Sequence, residues 1–584
     1  MIKVEKLSYG YPQKDLYEKV SFTIENKAHC ALIGTNGTGK STLIDILMHQ
    51  EDYLYDGKIE MEGVNRIGYV SQFSQHDPKG EMTVFQYVSQ EFVRQEKLIA
   101  DLCKKMETAE DLEDIFAEYQ EALDEFSAID GDAYESNIKK QLKIANLQKL
   151  EEQNINRLSA GEFKLVQIIK EMVQLPGLLI MDEPDVFLDF EHLNALRNLI
   201  NAHKGTILVI THNRYLLNHC FNKILQLENT DIQEFDGTHI EYNFELLATK
   251  IDLKEAEAKD QEEIDRQSAI LTKARAKATM FDNASLGRAV HARQTLVDRL
   301  KARKIKAPFV EIKQPDIHFT LGEMQEEGDI LSLTDYSVAF DEQLLEHVNF
   351  EMKPTDHVAI VGNNGTGKTT LLNDIFENKN NTIKISETVE VQMFSTLTEA
   401  RYVEKTVMEV LETKGFVKKQ DALAYLVKYG FEEDILEQKI NELSGGERDL
   451  FQLAVLSLEK ANLLLLDEPT GHLDIYAQIA LEEAVSEYQG AVLMVSHDFY
   501  TVANCVDYVL FVENNTVRKM STRKFRQMIY ANYFDKDYLL LEQDKKELEL
   551  RIQKMIQKND FDQARALMEA LEEIIKKMKN VGTL

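Results

Sequence analysis

Two eight-residue stretches of this chain of 584 residues repeat one another. They are Gly34-Thr35-Asn36-Gly37-Thr38-Gly39-Lys40-Ser41 and Gly362-Asn363-Asn364-Gly365-Thr366-Gly367-Lys368-Thr369. The first follows the apolar run Cys30 to Ile33 and leads, from Thr42, into a helical pattern; the second leads on from Thr370 in an equivalent context. A G-x-x-x-x-G-K-[ST] pattern between a strand and a helix is a phosphate-binding loop. Its glycines let backbone N–H groups approach phosphates, Lys40 and Lys368 reach the outer phosphate oxygens, and the Ser41 and Thr369 hydroxyls suit Mg²⁺. The helix N-terminus adds partial positive charge. One match in a long chain can be chance; two in equivalent settings imply that a nucleotide-binding domain is written twice.

Further pairs support the duplication. Leu158-Ser159-Ala160-Gly161-Glu162 matches Leu443-Ser444-Gly445-Gly446-Glu447, and the apolar runs ending in Asp182-Glu183-Pro184 and Asp467-Glu468-Pro469 match, as do Thr211-His212 and Ser496-His497. Ser159/Ser444, Asp182/Asp467 and His212/His497 share an offset of 285, whereas Lys40/Lys368 are 328 apart, so the second copy is shorter by 43 residues. The excess falls in a region of about 90–150 that is rich in Glu, Asp, Ala, Leu and Lys and predicts helices, either an ordinary helical subdomain or a docking arm.

Asp182 and Asp467, at the ends of apolar strands, are placed to hold Mg²⁺, with Gln72 as a further contact in the first copy. Glu183 and Glu468, next along, can orient or deprotonate an attacking water. His212 and His497, in register after matching strands, read as catalytic switches that sense the terminal phosphate. Tyr11 and Phe340 precede their lysines by 29 and 28 residues and suit stacking on adenine, although either could be a core aromatic.

Between the copies, residues 244–324 have no counterpart in either. Glu245 to Arg266 holds eight carboxylates against four basic residues; Lys273 to Lys306 holds ten Lys or Arg against Asp282 and Asp298. Apolar or small residues recur at helical spacing in both parts, Ile264/Leu271/Ala274/Ala278 and Ala289/Ala292/Leu296/Leu300, around a turn-forming Asp282 to Gly287. This predicts a helical hairpin with a basic tip and return arm. A solvated spacer is the alternative, but a spacer does not require its positive charge to be concentrated there. The whole chain carries a net charge of −33, which argues against general nucleic-acid affinity, so a local excess of +8 points to an oriented contact with a polyanion. Arg288, Arg293, Arg299 and Arg303 are its candidate RNA-binding residues.

Length suggests about four domains. No apolar run approaches the ~18 residues that would span a bilayer, and no secretion leader is expected from Met1-Ile2-Lys3-Val4-Glu5. Four widely spaced cysteines argue against zinc and against a disulfide framework, and they fit a reducing compartment.

The paired phosphate loops, the Leu-Ser-x-Gly-Glu stretches, the Asp-Glu strand ends, the following histidines and the charged connector closely resemble the ABC-F family over nearly the whole chain. The resemblance implies an α/β fold of two ABC-type ATPase domains joined by a helical hairpin. It implies a cytoplasmic ATPase using ATP and Mg²⁺ that acts on the ribosome, inserting its linker near the tRNA sites to tune translation or to protect against antibiotics. It also implies a monomer whose cassettes face head to tail, each ATP lying between one phosphate loop and the other cassette's Ser159-Ala160-Gly161-Glu162 or Ser444-Gly445-Gly446-Glu447. The expected division is 1–243, 244–324, 325–530 and 531–584, the last a helical hairpin turning at Lys558-Asn559-Asp560. The alternative is the ATP-binding subunit of a membrane transporter.

Three positions depart from the family pattern: Ala160 for Gly, Asp185-Val186-Phe187-Leu188-Asp189 where Thr-Asn-His-Leu-Asp is usual, and Thr396 at the position matching Gln72. Two sites of unequal rate are therefore expected.

Overall fold

The computed structural model describes residues 1–11, 14–72, 82–107, 113–186, 188–281, 290–291, 294–295, 314–323, 328–339, 343–378, 381–395, 402–533 and 536–581. They fall into two compact units, Met1–Thr238 with Lys313–Met528 and His239–Ile312 with Ile529–Leu584.

The first unit holds both repeats, and each is built on the same sheet. In the first repeat the strand order is Ile67–Val70, Leu178–Asp182, Thr206–Ile210, His29–Ile33, Lys223–Glu228 and Asp231–Asp236. All neighbours are parallel except the last pair. The second repeat runs Val391–Phe394, Leu463–Asp467, Ala491–Val495, His357–Val361, Tyr508–Glu513 and Thr516–Ser521, with the same directions. Leu178–Asp182 and Thr206–Ile210 are buried at every position, the pattern of parallel strands covered on both faces.

Register decides where the chemistry sits. Ile210 pairs with both Leu32 and Asp182, and Val495 with Ile360 and Asp467. Three neighbouring strands therefore end level, and the loops after them converge at the carboxyl edge of each sheet, where open α/β sheets bind ligands.

A three-stranded antiparallel sheet accompanies each parallel one, with Ile2–Tyr11 central in the first copy and Leu331–Ala339 in the second. In the first copy Leu7, Tyr17, Val20 and Phe22 from this sheet share a core with Leu32 and Ile180 of the parallel sheet and Leu43, Ile44 and Leu47 of the phosphate-loop helix Lys40–Met48. The loop is thus anchored from both sides.

The extra residues of the first copy form helices, as their composition predicts. Val84–Met106 starts at a capping box in which Thr83 accepts from the Gln86 N–H; Glu113–Ala128 and Tyr134–Ile144 follow. The second copy has only Val407–Thr413 and Lys419–Leu426 in this region among the described residues.

In the second unit a single helix runs from His239 to Phe281, about 65 Å at 1.5 Å per residue. It begins five residues before the linker boundary read from the sequence, because the preceding strand already ends at Asp236. Lys536–Gln557 and Phe561–Val581 form the terminal hairpin, turning where Asn559 takes a left-handed φ of 56°. This hairpin does not pack only on itself. Arg565 donates to Asp252 at 2.9 Å and to Glu255, and Lys579 to Glu241 at 2.7 Å. Ile251, Ile264, Ile552, Ala564, Leu571 and Met578 are buried in the same unit. The tip and most of the return arm of the connector, including Arg288, Arg293, Arg299 and Arg303, lie outside the described residues. Among the described residues no helix is long and apolar enough to cross a membrane, and the four cysteines are free.

Leu571 is fully buried, so Leu571→Ala should destabilise the helical unit by about 2–5 kcal/mol. Hydrogen exchange on the full chain should show faster exchange confined to residues 239–281 and 536–581. Equal acceleration in the repeats would contradict a separate helical unit.

Candidate functional site

Each phosphate loop turns through left-handed glycines, Gly37 and Gly39 at φ 75° and 93°, Gly365 and Gly367 at 76° and 88°. An L side chain is disfavoured there. Lys40 is buried and donates its Nζ to the carbonyls of Gly34 and Thr35 at 3.0 and 2.9 Å. Lys368 does the same to Gly362 and Asn363 at 2.9 and 2.7 Å. Burial lowers the pKa of both lysines, opposed mainly by Asp474 for Lys40 and by Glu468 for Lys368. An ammonium has three donors, so each lysine, with two of them on loop carbonyls, fits an anionic phosphate as a further partner.

The metal-binding candidates are also brought together. The Ser41 hydroxyl bonds Asp182, and Thr369 Oγ1 donates to Asp467 at 3.1 Å. Burial pushes each aspartate up to about 6, helped by the neighbouring glutamate and opposed by the hydroxyl bond and lysine. Two hydroxyl–carboxylate pairs at the carboxyl edge of the sheets, with their hydroxyls open to solvent, are oxygen donor sets suited to Mg²⁺.

Glu183 and Glu468 both have left-handed backbones, φ 44° and 47°, and each N–H bonds the end of the adjacent strand at 2.9 Å. Such strain at matched positions is characteristic of functional sites. Their surroundings differ. Glu183 accepts from Gln72 Nε2 at 2.5 Å and lies 3.8 Å from His472 Nδ1 of the other repeat. Burial acts to raise its pKa, but His472, His212 and Lys40 hold it below the usual carboxylate range. Glu468 is pushed up to about 7 by burial, with the His497 N–H, at 3.1 Å, and Lys368 opposing. Its Oε1 has no hydrogen-bond partner among the described residues.

His212 lies buried, and His497 mostly so, beside these carboxylates. Burial, with the nearby lysine adding, lowers them to about 4 and about 3. Among the described residues both ring nitrogens of His212 and Nδ1 of His497 lack hydrogen-bond partners, as expected of groups that await a ligand. Tyr11 is half exposed, edge-on to Tyr9, so it is not a core aromatic. Phe340 and Thr396 lie outside the described residues.

The repeats meet head to tail. Ser444 starts the helix Gly445–Ser457 through a reciprocal capping box with Glu447, and Ser159 starts Ala160–Val173 with Glu162 in the same way. The Ser444 end faces the first phosphate loop closely: a Cβ on Gly446 would lie 1.8 Å from Asn36 Nδ2, and one on Gly37 would lie 3.1 Å from Glu447 Oε1. A Cβ on Gly365 would meet nothing within 4 Å.

Three sets of cross-repeat residues escaped the motif reading. Asp474 caps its own helix at Ala477 N with one oxygen and accepts the Asn36 N–H at 3.0 Å with the other. Asp189 caps at His192 N and accepts the Asn364 N–H at 3.1 Å. His472 accepts Asn36 Nδ2 at 3.0 Å through its carbonyl. Arg214, two residues after His212, is buried against Glu482 and Asp498, the latter at 3.1 Å, with its guanidinium over the Tyr500 ring at 4.8 Å. An Asp before a helix is a capping signal, but a second partner far along the chain leaves no local mark.

A family model described as ABC transporter matches residues 17–186 and again 345–471. The chain belongs to the ABC transporter family. This ABC protein has relatives in the F branch: it is 28% identical to ABC transporter F family member 2 of Arabidopsis thaliana over 88% of this chain and 76% of that one. It is 28% identical to the ribosome protection protein VmlR of Bacillus subtilis over 63% of this chain and 70% of VmlR. Among solved structures, the archaeal ribosome recycling factor aABCE1, in complex with the stalk protein aP1, superposes with a TM-score of 0.52. That match covers 91% of this chain and 92% of aABCE1 at 19% identity, so it bears on fold alone. The tandem-cassette architecture and the ABC-F resemblance are thereby established.

Removing a partner from a buried ion cluster leaves charge uncompensated. Arg214→Met should weaken cassette pairing by about 3–5 kcal/mol, read as a loss of Mg-ATP-induced energy transfer between labels on the two cassettes. Unchanged transfer would discount the cluster.

Proposed function

We propose that this ABC protein is a cytoplasmic ATPase of the ABC-F type that acts on the ribosome. The observation that carries the nucleotide part is the reciprocal approach of each phosphate loop to the opposite cassette's aspartate. Such an approach suits two composite ATP sites. One would combine Lys40, Ser41, Gln72, Asp182, Glu183 and His212 with Ser444 to Glu447. The other would combine Lys368, Thr369, Asp467, Glu468 and His497 with Ser159 to Glu162. Glu183 and Glu468 orient the attacking water, and the lysines and helix N-termini hold the phosphates. Mg²⁺ bound with the nucleotide would supply charge neutralisation on the phosphates. Tyr11 and Phe340 would stack on adenine.

The ribosome as target is supported by the basic connector within an acidic chain and by relatives such as VmlR, which is named for ribosome protection. ATP binding and hydrolysis would insert and withdraw the connector near the tRNA sites, its arginines meeting RNA phosphates, so as to modulate translation or protect the ribosome from antibiotics. The expected species is a monomer with intramolecular cassette pairing, divided as 1–243, 244–324, 325–530 and 531–584.

The Glu183→Gln, Glu468→Gln double variant should bind ATP but hardly hydrolyse it, since the phosphate loops are untouched while water activation is removed. Nucleotide-binding and phosphate-release assays check this; turnover at the wild-type rate would refute the assignment.

That trapped protein should co-sediment with ribosomes in a salt-sensitive manner. Reversing Arg288, Arg293, Arg299 and Arg303 to Glu should weaken co-sedimentation and reduce the salt slope by roughly one for each phosphate no longer neutralised. Equal pelleting of both forms at every salt concentration would remove the connector from this role, and recovery with membranes instead would favour a transporter subunit.

A further inference from the structure

The two candidate glutamates differ in one cross-cassette neighbour. The stretch Thr470-Gly471-His472-Leu473-Asp474 leaves the second cassette's sheet and brings an imidazole to 3.8 Å from Glu183 Oε2. His472 is held at its backbone and at its ring. Its backbone carbonyl accepts from the Asn36 side-chain amide at 3.0 Å. Its Nδ1 lies 3.5 Å from Gln72 Nε2, which itself donates to Glu183. Its ring lies over Gly445, where a Cβ would come within 3.2 Å of the ring's Cγ. The ring is also largely buried, with 20% side-chain exposure. It therefore reaches the glutamate of the other cassette from a fixed position.

At the offset of 285 the position of His472 is occupied in the first cassette by Phe187, which has no nitrogen with which to meet a carboxylate. Among the described residues the groups that act on the Glu468 carboxylate come from its own cassette: the His497 N–H on one oxygen, His497 Nε2 3.4 Å from the other, and Lys368.

We propose that His472 is a positioning residue acting in trans: it orients Glu183 when the cassettes are paired, so that hydrolysis at the Lys40 site has a support that the Lys368 site lacks. This rests on the reading of Glu183 and Glu468 as water-orienting groups. Because the imidazole belongs to the opposite cassette, separation of the cassettes withdraws it, and opening lowers the hydrolytic competence of the Lys40 site.

Single-turnover hydrolysis isolates each site without requiring repeated cycling. In the Glu468→Gln protein the remaining turnover belongs to Glu183; in the Glu183→Gln protein it belongs to Glu468. His472→Phe should slow the Glu183 turnover roughly tenfold to a hundredfold while leaving the ATP concentration for half-maximal rate within about twofold, as expected when geometry rather than binding is impaired. His472→Gln, which keeps a neutral donor, should recover most of that rate. The Glu468 turnover should be unchanged by either substitution. Equal slowing in both backgrounds, which damage to cassette pairing would cause, overturns the inference, as does an unaltered Glu183 turnover. If neither Glu→Gln substitution affects hydrolysis, the site reading itself fails and the inference falls with it.

Discussion

Two aspartates hold the arrangement of the cassettes. Asp189 and Asp474 each spend one carboxylate oxygen on the first N–H groups of their own helix and the other on the backbone of the opposite phosphate loop. Burial acts to raise the Asp189 carboxyl, but His192 and the backbone N–H groups that it accepts from hold it well below the usual carboxylate range, and each aspartate lies where a helix N-terminus favours negative charge. The cap therefore fixes the aspartate, and the aspartate fixes the neighbouring cassette. Neither loop can leave its partner without exposing an amide deprived of its acceptor. The pairing and the loop geometry thus depend on one pair of reciprocal contacts.

From this pairing follow the contacts that cross between cassettes at larger distance from the loops. His472 and Asp474 are two residues apart, so the grip on Asn36 also delivers the imidazole to Glu183. Arg214 follows His212 by two residues and bonds Asp498, which follows His497 by one. The loops carrying the two histidines are therefore tied through an ion pair with little solvent around it. In a low-dielectric setting such a pair has strong geometric demands. A shift of one histidine loop is transmitted to the other more readily than through a solvated bridge.

Much of this was legible in the sequence because it is local or repeated. The phosphate loops, the Leu-Ser-x-Gly-Glu stretches and the Asp-Glu strand ends each occupy a few consecutive residues, and their recurrence in the same order removed ambiguity. The helical insertion and the terminal hairpin were visible as periodicity. The pairing of that hairpin with the first arm of the connector was not, since it depends on Arg565 meeting Asp252 and Glu255 across more than 300 residues of chain. The cross-cassette roles of Asp189, Asp474, His472 and Arg214 were hidden for the same reason: a side chain's distant partner leaves no mark on the spacing around it. Tyr11 illustrates the opposite case. Its spacing left stacking and core packing open, and exposure alone decided against the core.

The departures from the family pattern are not scattered at random between the proposed sites. Ala160 and Phe187 belong by sequence to the first cassette, which the proposed composite arrangement assigns to the Lys368 site. Thr396, by sequence in the second cassette, falls to the same proposed site. The Lys40 site instead receives Gly445, Gly446 and His472 from the second cassette and keeps its own Gln72 within 2.5 Å of Glu183. Substitutions in two different cassettes thus converge on one composite site, while the other retains closely approaching partners on both sides. An asymmetry of this kind cannot be produced by weakening one cassette as a whole. It requires the parts to be exchanged across the interface.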